Sequence, residues 1–187
     1  MNKSVAFIFF VFVFSTTLVA QNTSKFYNED LKWSMNHPKG FRVYNGEEWL
    51  KSQNLPANED PKQSKIEVVF QKDNANYAEF STRLFDPVVD GDYDKALAKV
   101  NGLLYETLHG QMVGAAIETE QKTIIIAGLN FNLFILSIKY PSAQVITIEI
   151  YSRLFENNQE LTASILYALP EQGDLMRDAF KSSVFGK

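Results

Sequence analysis

The 187-residue sequence contains no cysteine. That excludes disulfide staples, a thiol nucleophile and attachment through a lipobox cysteine, and it leaves stability to a hydrophobic core. Histidine is nearly as scarce. His37 and His109 lie far apart and lack the i, i+4 spacing of a zinc-binding helix. No serine stands in a G-x-S-x-G elbow. Long hydrophobic runs are missing as well: the unbroken stretch Val5–Phe14 is half the roughly 20 residues that a membrane span needs. Charge of one sign is not concentrated anywhere. A net charge of −4 with scattered acids and bases gives no electrostatic reason to bind nucleic acid or an anionic membrane.

What is present fits one soluble α+β domain. Hydrophobic residues make up 45% and charged residues 21%, the proportions of a globular chain, and the length suits one domain rather than two. Residues 1–20 read separately. Lys3, the apolar run and the small residues down to Ala20 have the layout of a signal peptide cleaved before Gln21, which places the mature protein in a secreted or periplasmic location with no membrane span once the leader is gone. Residues 21–25 read as a disordered leader, and 26–187 as the domain. The stretch Thr123–Tyr140 carries one charge, Lys139, but Gly128, Asn130 and Asn132 interrupt it and β-branched residues fill its first half. It divides into two strands joined at Ala127–Asn130, with Phe131–Tyr140 apolar on both faces and therefore central and covered on both sides.

Further strands follow from alternation. Ile66, Val68 and Phe70 share one face of a strand, as do Ala78, Phe80, Thr82 and Leu84 of the next, with Asp73-Asn74 as the turn between them. Ile146, Ile148, Ile150 and Leu154 point inward in another, leaving Thr147, Glu149, Tyr151 and Arg153 outward. Leu161, Ala163, Ile165 and Tyr167 form one face of the last. Between Asp92 and His109 the apolar period becomes helical. Residues 171–185 are expected to be a helix carrying Leu175, Met176, Ala179, Phe180 and Val184. Asn45–Ser64 reads as a long polar loop with one helical turn around Glu47–Ser52, presenting Trp49 and Leu50 together.

The order of elements, with "HPKGFRV" near the start, "IIIAGLNFNLF" at the entry to a four-stranded meander, and "LTASILYAL" running into "MRDAFKSSVF", resembles the PsbP-like superfamily. That group includes photosystem-associated PsbP proteins, the Ran-binding factor Mog and DcrB-type bacterial envelope proteins. The resemblance covers about residues 26–185. It implies an antiparallel sheet with flanking helices, an α/β/α sandwich, and a binding or assembly role with no common enzymatic activity. No functional residue carries over from it.

Chemistry-bearing patterns are few. Asp90, Asp92 and Asp94 alternate like the start of a calcium loop, but its glycine and bidentate glutamate positions hold Lys95 and Asn101. The same acids suit the N-terminus of a helix. No catalytic residue, cofactor or metal ligand is assigned. The expected function is an exported, non-catalytic binding or assembly module for an unknown envelope or extracellular protein or a small ligand, with Trp49, Leu50, Glu149, Tyr151 and Arg153 as candidate partner-binding residues. Trp49 has two readings: an anchor for a partner, or a plug tucked onto the sheet. The alternative function is a carboxylate-dependent hydrolase acting on envelope or extracellular material, drawing on Glu67, Glu118, Glu120 or Glu149.

Overall fold

A computed structural model describes residues 25–56 and 64–186. The expected signal peptide, residues 21–24 of the expected leader and part of the polar loop lie outside them. Lys25, expected in the leader, opens the first strand.

Seven strands form one antiparallel sheet: β3 (Arg42–Asn45), β4 (Lys65–Asp73), β5 (Asn76–Leu84), β6 (Ala116–Ile126), β7 (Leu129–Lys139), β8 (Val145–Leu154) and β9 (Gln159–Tyr167), in the spatial order β3-β4-β5-β9-β8-β7-β6. The chain leaves β5 through two helices, α2 (Pro87–Asp90) and α3 (Tyr93–Gln111), and re-enters at the far edge as β6. The meander β6–β9 then walks back until β9 pairs with β5 over nine residues from Asn76↔Tyr167 to Leu84↔Gln159. The two-strand division of the apolar stretch holds. Ala127 and Gly128, both with positive φ (51° and 80°), make the two-residue turn between β6 and β7. β7 is covered on both faces as expected, although it stands one strand in from the edge.

One face of the sheet carries the main core. Val68 and Phe70 of β4, Ala78 and Phe80 of β5, Phe131 and Leu133 of β7 and Leu161, Ala163 and Ile165 of β9 pack there against Met176, Ala179 and Phe180 of α4 (Pro170–Lys181). A small three-stranded sheet, β1 (Lys25–Asn28), β2 (Trp33–Asn36) and β10 (Val184–Phe185), closes this side in the order β1-β2-β10. Trp33 is fully buried at its centre, ringed by Phe26, Phe80, Phe180 and Phe185, and its Nε1 donates to Ser183 Oγ at 2.9 Å. Residues 171–185 are thus not one helix. It ends at Lys181, and Val184 and Phe185 pair with Ser34 and Trp33. Helical spacing placed Val184 on the apolar stripe, but a strand was free to take that segment.

The opposite face holds α1 (Gly46–Ser52) over β3 and β4, and α3 beyond it, with Val69, Leu97, Phe134, Leu136 and Ile138 buried. α1 extends the single expected turn to seven residues, because Asn45 and Glu48 form a reciprocal capping box: Glu48 N donates to Asn45 Oδ1 at 2.9 Å and Asn45 N to Glu48 Oε2 at 3.1 Å. Asp92 caps α3 by accepting from Lys95 N at 3.0 Å, the helix-terminal role open to it from sequence.

Candidate functional site

The row on β8 expected to face solvent is turned toward α4. Cross-strand register sets its direction. Glu149 stands opposite Ile135 and Ile165, and Tyr151 opposite Leu133 and Ala163, so both share the face of the main core. Tyr151 is 2% exposed and Glu149 6%. The alternation on β8 was read correctly as a period, but its sides were exchanged: Glu149 and Tyr151 lie in the main core, while Ile146, Ile148 and Ile150, expected inward, are half-buried on the other face. This corrects the outward orientation given to Thr147, Glu149, Tyr151 and Arg153.

A buried carboxylate needs partners, since an isolated charge in a low-dielectric interior is very unfavourable. Glu149 has three. Tyr151 Oη donates to Oε2 at 2.5 Å, Tyr167 Oη to Oε1 at 2.9 Å, and Arg177 Nη1 to Oε1 at 2.7 Å. Arg177 Nη1 also donates to Tyr167 Oη at 2.9 Å, its guanidinium lies 5.0 Å from the centre of that ring, and its Nη2 reaches Asp174 at 2.5 Å. Burial, together with the hydrogen bond and the charge of Glu149, raises the Tyr151 pKa far above the ordinary phenol value; Tyr167 is raised by the same causes. Burial works against the charge of Arg177, but the bond to Asp174 and the charge of Glu149 outweigh it and the pKa rises. Arg177 arrives on the helix one residue after core Met176, so α4 is clamped to β8 and β9 by one ionic cluster.

A second cluster of the same make-up sits on the opposite face. Glu160 of β9, 5% exposed, accepts from Arg83 Nε at 2.5 Å and from Tyr93 Oη at 3.1 Å, with Asp90 3.6 Å from Arg83 Nη1. Burial first, then the charge and hydrogen bond of Glu160, pushes the Tyr93 pKa up. Tyr93 opens α3, so this cluster ties that helix to the sheet at its start. Glu149 and Glu160 point to opposite faces and cannot act as a pair.

Trp49 is buried against Tyr44 and Tyr77, with ring centres 5.7 and 6.0 Å away, which is the plug of the two readings. Leu50 beside it is half-buried. Because Tyr77 and Val69 line the α1 face, Trp49 and Leu50 are separated from Glu149 and Tyr151 by the thickness of the sheet and form no common surface with them. Arg153 belongs to the α4 face. Its Nη1 donates to the Asn130 carbonyl at 2.6 Å, its guanidinium stacks at 5.2 Å on Phe155, and its buried Nε has no hydrogen-bond partner. Of the acids considered for hydrolysis, Glu67 on β4 accepts from Thr82 at 2.7 Å, while Glu118 and Glu120 lie on β6 and pair with Lys139 and Lys122. β6 is one edge of the sheet, and β4 is the strand next to the other edge. Among the described residues no group of three or more His, Asp or Glu is placed to hold a metal, and no helix is long and apolar enough to cross a membrane.

The residues that sequence reading missed are Arg83, Tyr93, Glu160, Tyr167, Asp174 and Arg177. A usable signal existed for one cluster: "ITIEIY" places a carboxylate beside a tyrosine in an apolar strand inside the sheet, and such a group, once buried, requires a cation nearby.

On the α3 face, packing is looser. Leu97 and Asn101 are the residues α3 buries, whereas Val100 and Leu103, turned away from the sheet, are 56% and 59% exposed. An open groove runs beneath, lined by Ala98, Asn101, Gly102 and Tyr105 from the helix, Thr119 and Gln121 from β6, and Phe134 from β7.

No protein-family model and no curated protein sequence matches the chain. Solved structures do. The solution structure of cyanobacterial PsbP (CyanoP) from Synechocystis sp. PCC 6803 superposes with a TM-score of 0.55 over 87% of this chain and 92% of that one, at 8% sequence identity. The fold is PsbP-like. The resemblance read from the pro-gly turn, the glycine hairpin and the terminal helix was therefore sound for architecture. At 8% identity the PsbP-like fold transfers no residue roles, and the polar clusters stand on their own geometry.

Proposed function

We propose that the protein is a non-catalytic accessory or assembly module acting outside the cytoplasm, and that it meets its partner on the α3 face. One contrast carries this reading. Both buried carboxylates are consumed inside the fold, Glu149 by Tyr151, Tyr167 and Arg177, and Glu160 by Arg83 and Tyr93. The α3 side, by comparison, leaves Val100 and Leu103 uncovered on the outer surface of the helix and keeps an open groove, lined in part by Tyr105 and Phe134, on its other flank. Ionic groups that could perform chemistry are committed to holding helices, and apolar groups that can bind are left available. The PsbP-like fold agrees with a binding or assembly role, and the layout of residues 1–20 agrees with export.

The test is a photo-crosslinking residue placed at position 103 in the protein in its own host, with position 27 as control. Tyr27 is equally exposed (61%) and belongs to the small sheet on the other side. The expected result is one dominant adduct of defined mass from position 103 and not from 27. Adducts of equal yield from both positions, or none from 103, would remove the α3 face as the partner surface.

A further inference from the structure

The sheet has two unequal edges. β3 ends it with four residues. β6 ends it with eleven, paired to β7 from Ala116↔Lys139 to Ile126↔Leu129 without a single register shift. β6 contains neither proline nor glycine, and every residue from Glu118 to Thr123 is exposed. Among the described residues nothing pairs with its outer side. Long, regular edges of this kind are templates for another strand, and proteins usually blunt them with bulges, proline or lysine.

Which backbone groups point outward follows from the turn. A two-residue turn with positive φ at both central residues closes on the hydrogen-bonded pair Ile126 and Leu129. Alternation along an antiparallel ladder then directs the N–H and C=O of Ile117, Thr119, Gln121, Thr123 and Ile125 away from β7. Gln121 is the middle of these five.

The sequence of β6 is self-complementary about Gln121. Two copies laid antiparallel with Gln121 opposite Gln121 place Glu120 opposite Lys122 twice, Thr119 opposite Thr123 twice, and Ile117 opposite Ile125 twice. Ile125, 71% exposed in the single chain, would then be covered by Ile117. Moving the axis to Lys122 sets Lys122 against itself with no compensating pair, and moving it to Glu120 sets Glu120 against itself even though Glu118 then meets Lys122, so of the three the Gln121 register alone has opposite-charge pairs and no like-charge pair. Lys122, which alone would guard the edge, is answered in that register by Glu120. The five outward residues supply about ten backbone hydrogen bonds across the axis, close to the number in a typical stable protein interface.

We propose that the outer edge of β6 is a homodimerisation edge, at which two copies of this chain pair antiparallel about a two-fold axis through Gln121 to form a continuous fourteen-stranded sheet. The edge adjoins the α3 groove, which Thr119 and Gln121 also line; a position-103 adduct of twice the chain's mass belongs to the dimer, one of any other mass to a different partner, and sedimentation tests the dimer without reference to position 103.

Sedimentation velocity on the protein as isolated from cells, from micromolar to millimolar concentration, tests it. The expected result is a monomer–dimer equilibrium that Glu120→Lys and Lys122→Glu each weaken at least tenfold, because each replaces two attractive pairs with two repulsive ones. The double variant E120K/K122E should recover the dimer, and an equimolar mixture of the two single variants should form a heterodimer. Both side chains are exposed, so folding is untouched and circular dichroism verifies it. Dimerisation should also slow hydrogen exchange at the Thr119, Gln121 and Thr123 amides. A chain that remains monomeric at millimolar concentration, a dimer indifferent to the single swaps, or a double variant that stays monomeric would each overturn the proposal.

Discussion

Arg177 and Glu149 show how much of this protein depends on single polar side chains. Removing one partner of a buried ion pair leaves an uncompensated charge, which costs more than the pair itself contributes. Arg177→Met should therefore lower stability by about 3 kcal/mol, and the double variant Arg177→Met/Glu149→Leu should regain most of that loss. Urea denaturation of the four combinations checks it; purely additive losses would show that the two side chains do not act as a unit. Glu79 offers a second residue-scale expectation. Burial raises its pKa, and a hydrogen bond from Trp49 offsets part of the rise. The folded state then holds a proton on Glu79 at pH values where the unfolded chain, with an ordinary glutamate near 4.3, has released it. Stability linked to this group is fully present below that ordinary value and falls as pH rises through the folded pKa. Glu79→Gln removes the dependence, so the melting temperature of the variant should gain on the native protein as pH increases from 4 to 7. A difference between the two that stays flat with pH would contradict the assignment.

At the scale of elements, α4 owes its close approach to Gly173. A Cβ at this position would lie 2.8 Å from the ring of Tyr167, the same ring that bonds Glu149 and carries Arg177. Alanine favours a helix over glycine by roughly 1 kcal/mol, but forcing a methyl group into the ring costs about 1–3 kcal/mol. Gly173→Ala should be destabilising by about 1 kcal/mol, and a thermal melt reads the sign directly. Elements were also the level at which the sequence was most legible. The β6–β7 hairpin was readable because Gly128 and the two asparagines break an otherwise apolar run, and α3 because its period changes at Asp92. β10 was not, since two residues are too few to show alternation and Val184 fits the preceding helical stripe. The direction of β8 was not legible either. A strand with isoleucine on one face and Glu-x-Tyr-x-Arg on the other looks half-solvated until the helix that supplies Arg177 is placed over it, and that placement is a property of tertiary packing.

For the whole molecule, the PsbP-like arrangement was open to sequence reading and the working parts were not, because each cluster joins residues distant along the chain: Glu149 with Arg177, Arg83 with Glu160, Asn76 with Ala168. The indole of Trp33 is the extreme case. Its hydrogen-bond partner Ser183 lies 150 positions later, and Phe185, stacked on the same ring, later still. A nascent chain emerging from the ribosome exposes Trp33 long before either exists. Closing the core around Trp33 therefore depends on contacts of high sequence separation, whose loop-closure cost slows folding.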